Sequence, residues 1–264
     1  MKSTFVLAQM ASVLEPEENL KKVKSMTQEA SETYHPDVIV FPEYCMSTAK
    51  PGTVSPMESL EGPFVTELRK LAKVYGVWII FGINEQPEDT SDPRYYNTTV
   101  ILNGAGEIVS TYRKTHLYDA FHYRESDQML PGDKLFEPID TPFGKLGLMV
   151  CYEVRFPEVA RYQKEHGAEI LVMPTAWAAG KLKSLHYNTL IHARAIENTL
   201  FVLACDQCHA GAIGESVAVD PMGVTIAAAG GQETLLVARV DTDQIKEVGK
   251  VLPSYENRRT DLYP

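Results

Sequence analysis

The chain has 264 residues, 44% hydrophobic and 23% charged, and a formal net charge of -10. That composition supports a large buried core and excludes an intrinsically disordered chain. With a pI of ≈ 5.2 the surface is unsuited to nucleic acid or anionic membrane, so neither is expected as a partner, while a small acidic substrate remains compatible with a local basic pocket.

The first stretch, "MKSTFVLAQMASVLEPEENL", has one lysine and a short apolar run before Ser12 and a glutamate cluster, too little for a signal peptide or a transmembrane span. A strand is expected at 4–9, a helix at 17–34 and a buried strand at 37–41. The next helix, 63–75, places Phe64, Leu68, Leu71 and Val74 at helical spacing and is closed by Gly76. Strands follow at 77–83, 98–103 and 108–114, the last two joined by the hairpin signal "NGAGE". Beyond them come a strand at 145–150, a helix at 156–166, a strand at 169–174, a helix at 183–198 and strands at 199–205, 215–220 and 234–240, with a turn at "DPMG". Hairpins mixed with strand–helix–strand units imply mixed sheets, and ten strands with four to five helices suit two packed sheets covered by helices. No linker, repeat or low-complexity block divides the chain, so residues 1–264 are expected to form one domain.

Three polar residues share one kind of position. Glu43 follows "DVIVFP", Lys114 ends "IVSTYR", and Cys151 ends "KLGLMV", each just past the carboxyl end of a strand, where α/β proteins build their sites. A thiol is mostly protonated near pH 7, so a nucleophilic cysteine needs a base or a neighbouring cation. Glu43 suits the first role and Lys114 the second, and the N–H of Tyr152 after the cysteine suits an oxyanion. Each also has a structural reading: a buried apolar cysteine, a helix N-terminal carboxylate, a solvated strand end. Four cysteines, Cys45, Cys151, Cys205 and Cys208, make no disulfide framework in a chain this long, and with no secretion signal the expected compartment is the cytoplasm. "CDQC" (205–208) is a lone Cys-x-x-Cys at the tail of an apolar strand, without a second pair for zinc, so no metal site is expected.

Taken together, "VIVFPEY" (38–44), "YRKTHLYD" (112–119) and "GLMVCYEVRFPE" (147–158) resemble the glutamate, lysine and cysteine motifs of the nitrilase superfamily of carbon–nitrogen hydrolases. "YYNTTVILNGAGEIVSTYRK", "GAEILVMPTAW" and "ARAIENTLFVLACDQC" match in kind and order, and the likeness runs from about residue 4 to "LPSYENRRTDLY". The resemblance implies a four-layer α-β-β-α sandwich, association into homodimers or higher homo-oligomers, and amide hydrolysis by Glu43, Lys114 and Cys151 with no metal or organic cofactor. It also implies a second glutamate, best matched by Glu125 in "HYRES", with Asp127 as its competitor. "HLYDAFHYRES", "TAWAAGKLKSLHY" and "NRRTDLY" are most similar to the nitrilase-like amidases acting on deaminated glutathione, a metabolite-repair activity that yields 2-oxoglutarate and cysteinylglycine. The ω-amidases, which take 2-oxoglutaramate, share the same acyl half, and nitrilases and N-carbamoyl hydrolases use the same three residues. For a 2-oxo carboxylate, Arg155 is the expected cation, against an ion pair with Glu153 or Glu158. Tyr44, Thr175, Ala176 and Trp177 are expected to line the pocket, and Lys181, Lys183 and His186 either attract the cysteinylglycine end or form a solvated loop face.

Overall fold

The computed structural model describes residues 1–49, 53–89 and 91–262. In chain order its elements are β1 (Lys2–Gln9), α1 (Pro16–Tyr34), β2 (Val38–Val40), α2 (Pro63–Tyr75), β3 (Trp78–Glu85), β4 (Tyr95–Leu102), β5 (Ile108–Arg113), β6 (Asp119–Ala120), β7 (Tyr123–Arg124), β8 (Met129–Leu130), β9 (Ile139–Thr141), β10 (Gly144–Leu148), α3 (Pro157–Glu165), β11 (Ile170–Thr175), α4 (Lys183–Asn198), β12 (Phe201–Asp206), β13 (Val217–Val219), β14 (Thr225–Ala228), β15 (Thr234–Asp241) and α5 (Asp243–Val251). Short 3-10 turns occupy Glu125–Asp127 and Cys151–Arg155.

Two mixed sheets result. One runs β15-β1-β2-β3-β4-β5 with β8 beside β4, the other β14-β13-β12-β11-β10-β9. In each, three parallel strands form the centre: β1, β2 and β3 in the first, β10, β11 and β12 in the second, with antiparallel strands outside them. Alternation along a strand divides the core. Phe5, Leu7, Val38, Val40 and Ile80 share a cluster with Leu146, Leu148, Ile170 and Val172 of the second sheet, while Val6, Ala8, Ile39, Phe41 and Phe81 pack with Val23 and Ala30 of α1 and with Phe64, Val65 and Leu68 of α2. With α3 and α4 on the far side of the second sheet, the layers run helix, sheet, sheet, helix, as the resemblance implies.

The ten expected strands all form, most with ends within three residues of the expected ones. The short strands β6 to β9 and β14 are too brief to show a period, whereas helix α5, with Ile245, Val248 and Val251 at helical spacing, carries a readable pattern that the expected elements left out. On α2 the buried stripe is Phe64, Val65, Leu68 and Ala72, whereas Val74, expected on that face, is 74% exposed. A stripe beginning at two adjacent residues rotates the buried face away from position 74. Gly76 takes φ 64 and closes the helix through its N–H to Ala72 O, as expected.

This topology assembles the site. Because β4 runs antiparallel to β3 and β5 antiparallel to β4, β5 points the same way as β1 to β3, so Lys114 leaves the sheet at the same end as Glu43. Gly82 in β3 explains its own presence in a strand: a Cβ there would stand 3.0 Å from Tyr44 N and 3.2 Å from Glu43 Cα, so glycine admits the turn that carries Glu43.

Candidate active site

Glu43, Lys114 and Glu125 form one buried cluster. Lys114 Nζ, wholly buried, donates to Glu43 Oε1 at 2.9 Å and to Glu125 Oε2 and Oε1 at 2.9 and 3.1 Å. Glu43 is held from three more directions: Asn97 Nδ2 donates to Oε1 at 2.7 Å, Ala176 N to Oε2 at 2.9 Å, and Gln207 Nε2 to its backbone carbonyl at 2.9 Å. Glu125 accepts from Tyr44 OH at 2.8 Å and from Tyr118 N at 2.7 Å. Its competitor Asp127 is exposed, 3.6 Å from Arg124.

Electrostatics follow from this burial. Burial alone would lower the Lys114 ammonium, but the charges of Glu125 and Glu43 outweigh it and hold it well above the usual lysine range. Burial raises the Glu43 carboxyl against the opposing pull of Lys114. Cys151 is only 8% exposed, and burial with the nearby Glu43 charge pushes its thiol well above its usual value. The Cys151 thiol is therefore neutral at rest beside Glu43, not a free thiolate.

Cys151 adopts φ 48 three residues past the end of β10, an uncommon conformation for a residue with a Cβ and one found where local strain serves a site. The buried carboxylate that holds this turn is Glu153. Its Oε2 accepts Val150 N at 2.7 Å, while Oε1 accepts Tyr112 OH at 2.7 Å, Thr115 N at 2.9 Å and Thr115 Oγ1 at 2.8 Å. Burial would raise this carboxyl, but hydrogen bonds from His116, Tyr112, Val150 and Thr115 outweigh it and lower it. One side chain thus ties the turn after Lys114 to the turn before Cys151. Glu153→Gln, which turns an amide N–H₂ toward at least one backbone donor, is expected to reduce kcat about ten- to hundredfold with little change in KM and to cost about 1–3 kcal/mol of stability. Because the folded carboxyl lies below its ordinary 4.5, its stabilisation is full above that pH and fades as pH falls through the lower folded value. The wild-type advantage over Glu153→Gln in thermal melts should therefore shrink toward pH 3, and a pH-independent difference would refute the assignment.

A cavity of about 540 Å³ opens onto Cys151, Tyr44, Tyr152, Arg155, Ala176, Trp177 and Glu125. This lies within the range of about 300–1,000 Å³ usual for small-ligand sites. Lys181 and Lys183 also line it, whereas His186 does not. Thr175, expected on the wall, is not there: it is fully buried as the last residue of β11, paired with Asp206, and the wall begins one residue later at Ala176. Arg155 is half-buried with its guanidinium 4.7 Å from the Trp177 ring, and its Nη2 is buried without a protein partner. Neither Glu153 nor Glu158 pairs with it within 4.0 Å, which removes the structural ion pair as an explanation.

A family model described as carbon-nitrogen hydrolase matches residues 6–250. The chain belongs to the carbon–nitrogen hydrolase family. The deaminated glutathione amidase of Escherichia coli O157:H7 is 40% identical to this hydrolase over 207 residues, 78% of each chain. The human deaminated glutathione amidase is 33% identical over 275 residues, 97% of this chain and 82% of the human one. Among solved structures, a mutant of the amidase from Nesterenkonia sp. AN1, 25% identical, superposes with a TM-score of 0.81 over 100% of this chain and 98% of that one, and it shows Michael addition of acrylamide at that protein's active site cysteine. This chain is accordingly a hydrolase acting on carbon–nitrogen bonds other than peptide bonds, with the α-β-β-α sandwich of its family.

Sequence reasoning for this hydrolase overlooks Asn97 and Asp206 and considers Glu153 only as a partner for Arg155. A signal existed, since Asn and Asp are depleted in strands, yet Asn97 lies inside β4 and Asp206 ends β12. Asp206 accepts Trp177 N at 2.8 Å and Gly214 N at 3.0 Å and so holds two loops of the cavity wall together. Burial raises its carboxyl against these backbone bonds. In "CDQC", Cys205 Sγ is buried and donates to Val40 O at 3.1 Å, and among the described residues no group of three or more His, Cys, Asp or Glu side chains gathers as a metal site. No helix among the described residues is long and apolar enough to cross a membrane.

Proposed function

We propose that the protein is an amidase that cleaves deaminated glutathione to 2-oxoglutarate and cysteinylglycine through a thioester on Cys151. The observation that carries this reading is the shared cavity: a thiol against a buried Glu43–Lys114–Glu125 cluster, and beside it an Arg155 that pairs with no carboxylate among the described residues. The names of the bacterial and human relatives favour the same substrate.

Glu43 takes the thiol proton as Cys151 Sγ attacks the amide carbon. Two of the three Lys114 bonds go to the same carboxylate, so giving up the longer one to Glu125 Oε1 turns one N–H to the developing oxyanion, together with the Tyr152 N–H at the start of the 3-10 turn, while Glu43 and Glu125 each stay held. Glu43 then gives its proton to the leaving amine nitrogen, the C–N bond breaks, and a thioester remains. In the second half Glu43 accepts a proton from water, the hydroxyl adds to the thioester carbon, and the thiol is released with its proton restored. Glu125, fixed by Tyr44 and Tyr118, keeps the ammonium in place.

Arg155 is the proposed anchor for the 2-oxo carboxylate, positioned by its stacking on Trp177. Arg155→Lys keeps the charge but loses the bidentate fork, so kcat/KM should fall about ten- to hundredfold, chiefly through KM. Because deaminated glutathione and 2-oxoglutaramate share this acyl half, both should suffer alike, and a variant indistinguishable from wild type would reassign the anchor. The test of function is 2-oxoglutarate release from the two substrates side by side: a much higher kcat/KM for deaminated glutathione supports the repair amidase, preference for 2-oxoglutaramate makes the protein an ω-amidase, and release from neither refutes both. A single-domain, cytoplasmic homodimer completes the proposal. Exposed Met222 and Val224 in the turn before β14, Ile226 on β14 and Ile196 on α4 supply apolar surface for a subunit contact, which light scattering would test.

A further inference from the structure

Two buried lysines near the reaction centre have contrasting surroundings. Lys114 has three carboxylate oxygens within 3.1 Å. Lys183, 7% exposed and lining the same cavity as Cys151 and Arg155, has no carboxylate within 4.0 Å among the described residues. Its ammonium donates to Tyr118 OH at 2.7 Å and lies 3.9 Å from the Phe121 ring centre and 5.0 Å from that of Tyr118.

The local backbone makes this arrangement more costly. Lys183 is the first residue of α4, where the helix dipole is positive, and the first turn holds no acidic residue. A desolvated ammonium at the wrong end of a helix, compensated only by aromatic faces and one hydroxyl, is unfavourable until an anion enters the cavity. Arg155, with its unpaired Nη2, stands on the same wall system. Beside the exposed Lys181, the cavity therefore offers two cations withdrawn from solvent, Arg155 and Lys183, that no carboxylate among the described residues neutralises within 4.0 Å.

We infer that Lys183 binds the carboxylate at the leaving-group end of a dianionic substrate, while Arg155 holds the carboxylate of the acyl half. This rests on the acyl-half reading above and extends it. 2-Oxoglutaramate carries one carboxylate and leaves Lys183 unpaired. Deaminated glutathione carries a second on its glycine, so Lys183 is the residue that selects the longer substrate. Tyr118 and Phe121 flank the ammonium from the segment that forms the β6–β7 hairpin and hold it at the cavity wall.

The test compares deaminated glutathione with its analogue in which the glycine carboxylate is a carboxamide, a pair differing in one charge. Wild type should prefer the carboxylate form by about ten- to hundredfold in kcat/KM, mainly through KM. Lys183→Gln, which keeps a donor for Tyr118 but not the charge, should bring the ratio close to one, and Lys183→Arg should preserve most of it. A wild type indifferent to the substitution, or a Lys183→Gln variant with the wild-type ratio, overturns the inference. Wild-type turnover of 2-oxoglutaramate with neither tripeptide analogue accepted removes the role of Lys183 and leaves the acyl-half reading standing. No turnover of any of the three removes both.

Discussion

Cys151→Ala is expected to fold normally and to lose essentially all turnover, with kcat down by at least about 10⁴-fold. Burial and the Glu43 charge hold the Cys151 thiol in its neutral form, so the substitution removes no charge from the protein and leaves the Glu43–Lys114–Glu125 bonds intact. What disappears is the atom that forms the thioester, and water has no comparable position against the carbonyl. The measurement is 2-oxoglutarate release from deaminated glutathione, with a thermal melt to establish folding. A folded variant that keeps a near-wild-type rate would end the thioester mechanism.

Lys114→Met should damage both activity and stability. Removing the ammonium leaves two buried carboxylates facing each other, and breaking such a pair from one side costs about 3–5 kcal/mol. The oxyanion loses its charged donor as well, which is worth about a further 10²–10³-fold in kcat. The pH dependence identifies the cause. Without Lys114, burial and the Glu125 charge raise the Glu43 carboxyl unopposed, and a carboxyl raised in the folded state destabilises above its folded value and becomes harmless as it is protonated below it. The stability deficit against wild type, read from urea unfolding, should therefore be larger at pH 8 than at pH 5. Equal deficits at the two pH values would mean that packing of the lysine stem, not charge, is what the variant loses.

Much of this was legible in the chain. Continuous apolar runs such as "DVIVF" and "EILVMP" became central parallel strands because strands buried on both faces carry no polar alternation. Helix α2 ended at Gly76 because a left-handed residue there suits glycine. Glu43, Lys114 and Cys151 were marked by the strand ends that precede them, and the match to the carbon–nitrogen hydrolase family supports reading those motifs together. Other features left no readable pattern. Val74 lay at helical spacing yet faces solvent, since which side of an amphipathic helix is buried depends on the sheet it meets. Thr175 lay in the right motif but behind the wall, because successive residues at a strand end point in different directions and only the neighbouring loop shows which one meets the cavity.

By itself, then, the sequence determined two packed sheets covered by helices and the order of its strands and helices along the chain, since hydrophobic periodicity is a local property, and it marked Glu43, Lys114 and Cys151 as candidates by strand-end position together with their resemblance to the family's motifs. Only the tertiary structure decided which carboxylate meets Lys114, that Glu153 joins the lysine and cysteine turns, and that Arg155 and Lys183 stand without a counter-charge among the described residues. Pairing between charges depends on distances between residues far apart in the chain, as between Glu43 and Ala176 or Thr115 and Glu153, and no spacing along the sequence encodes those distances.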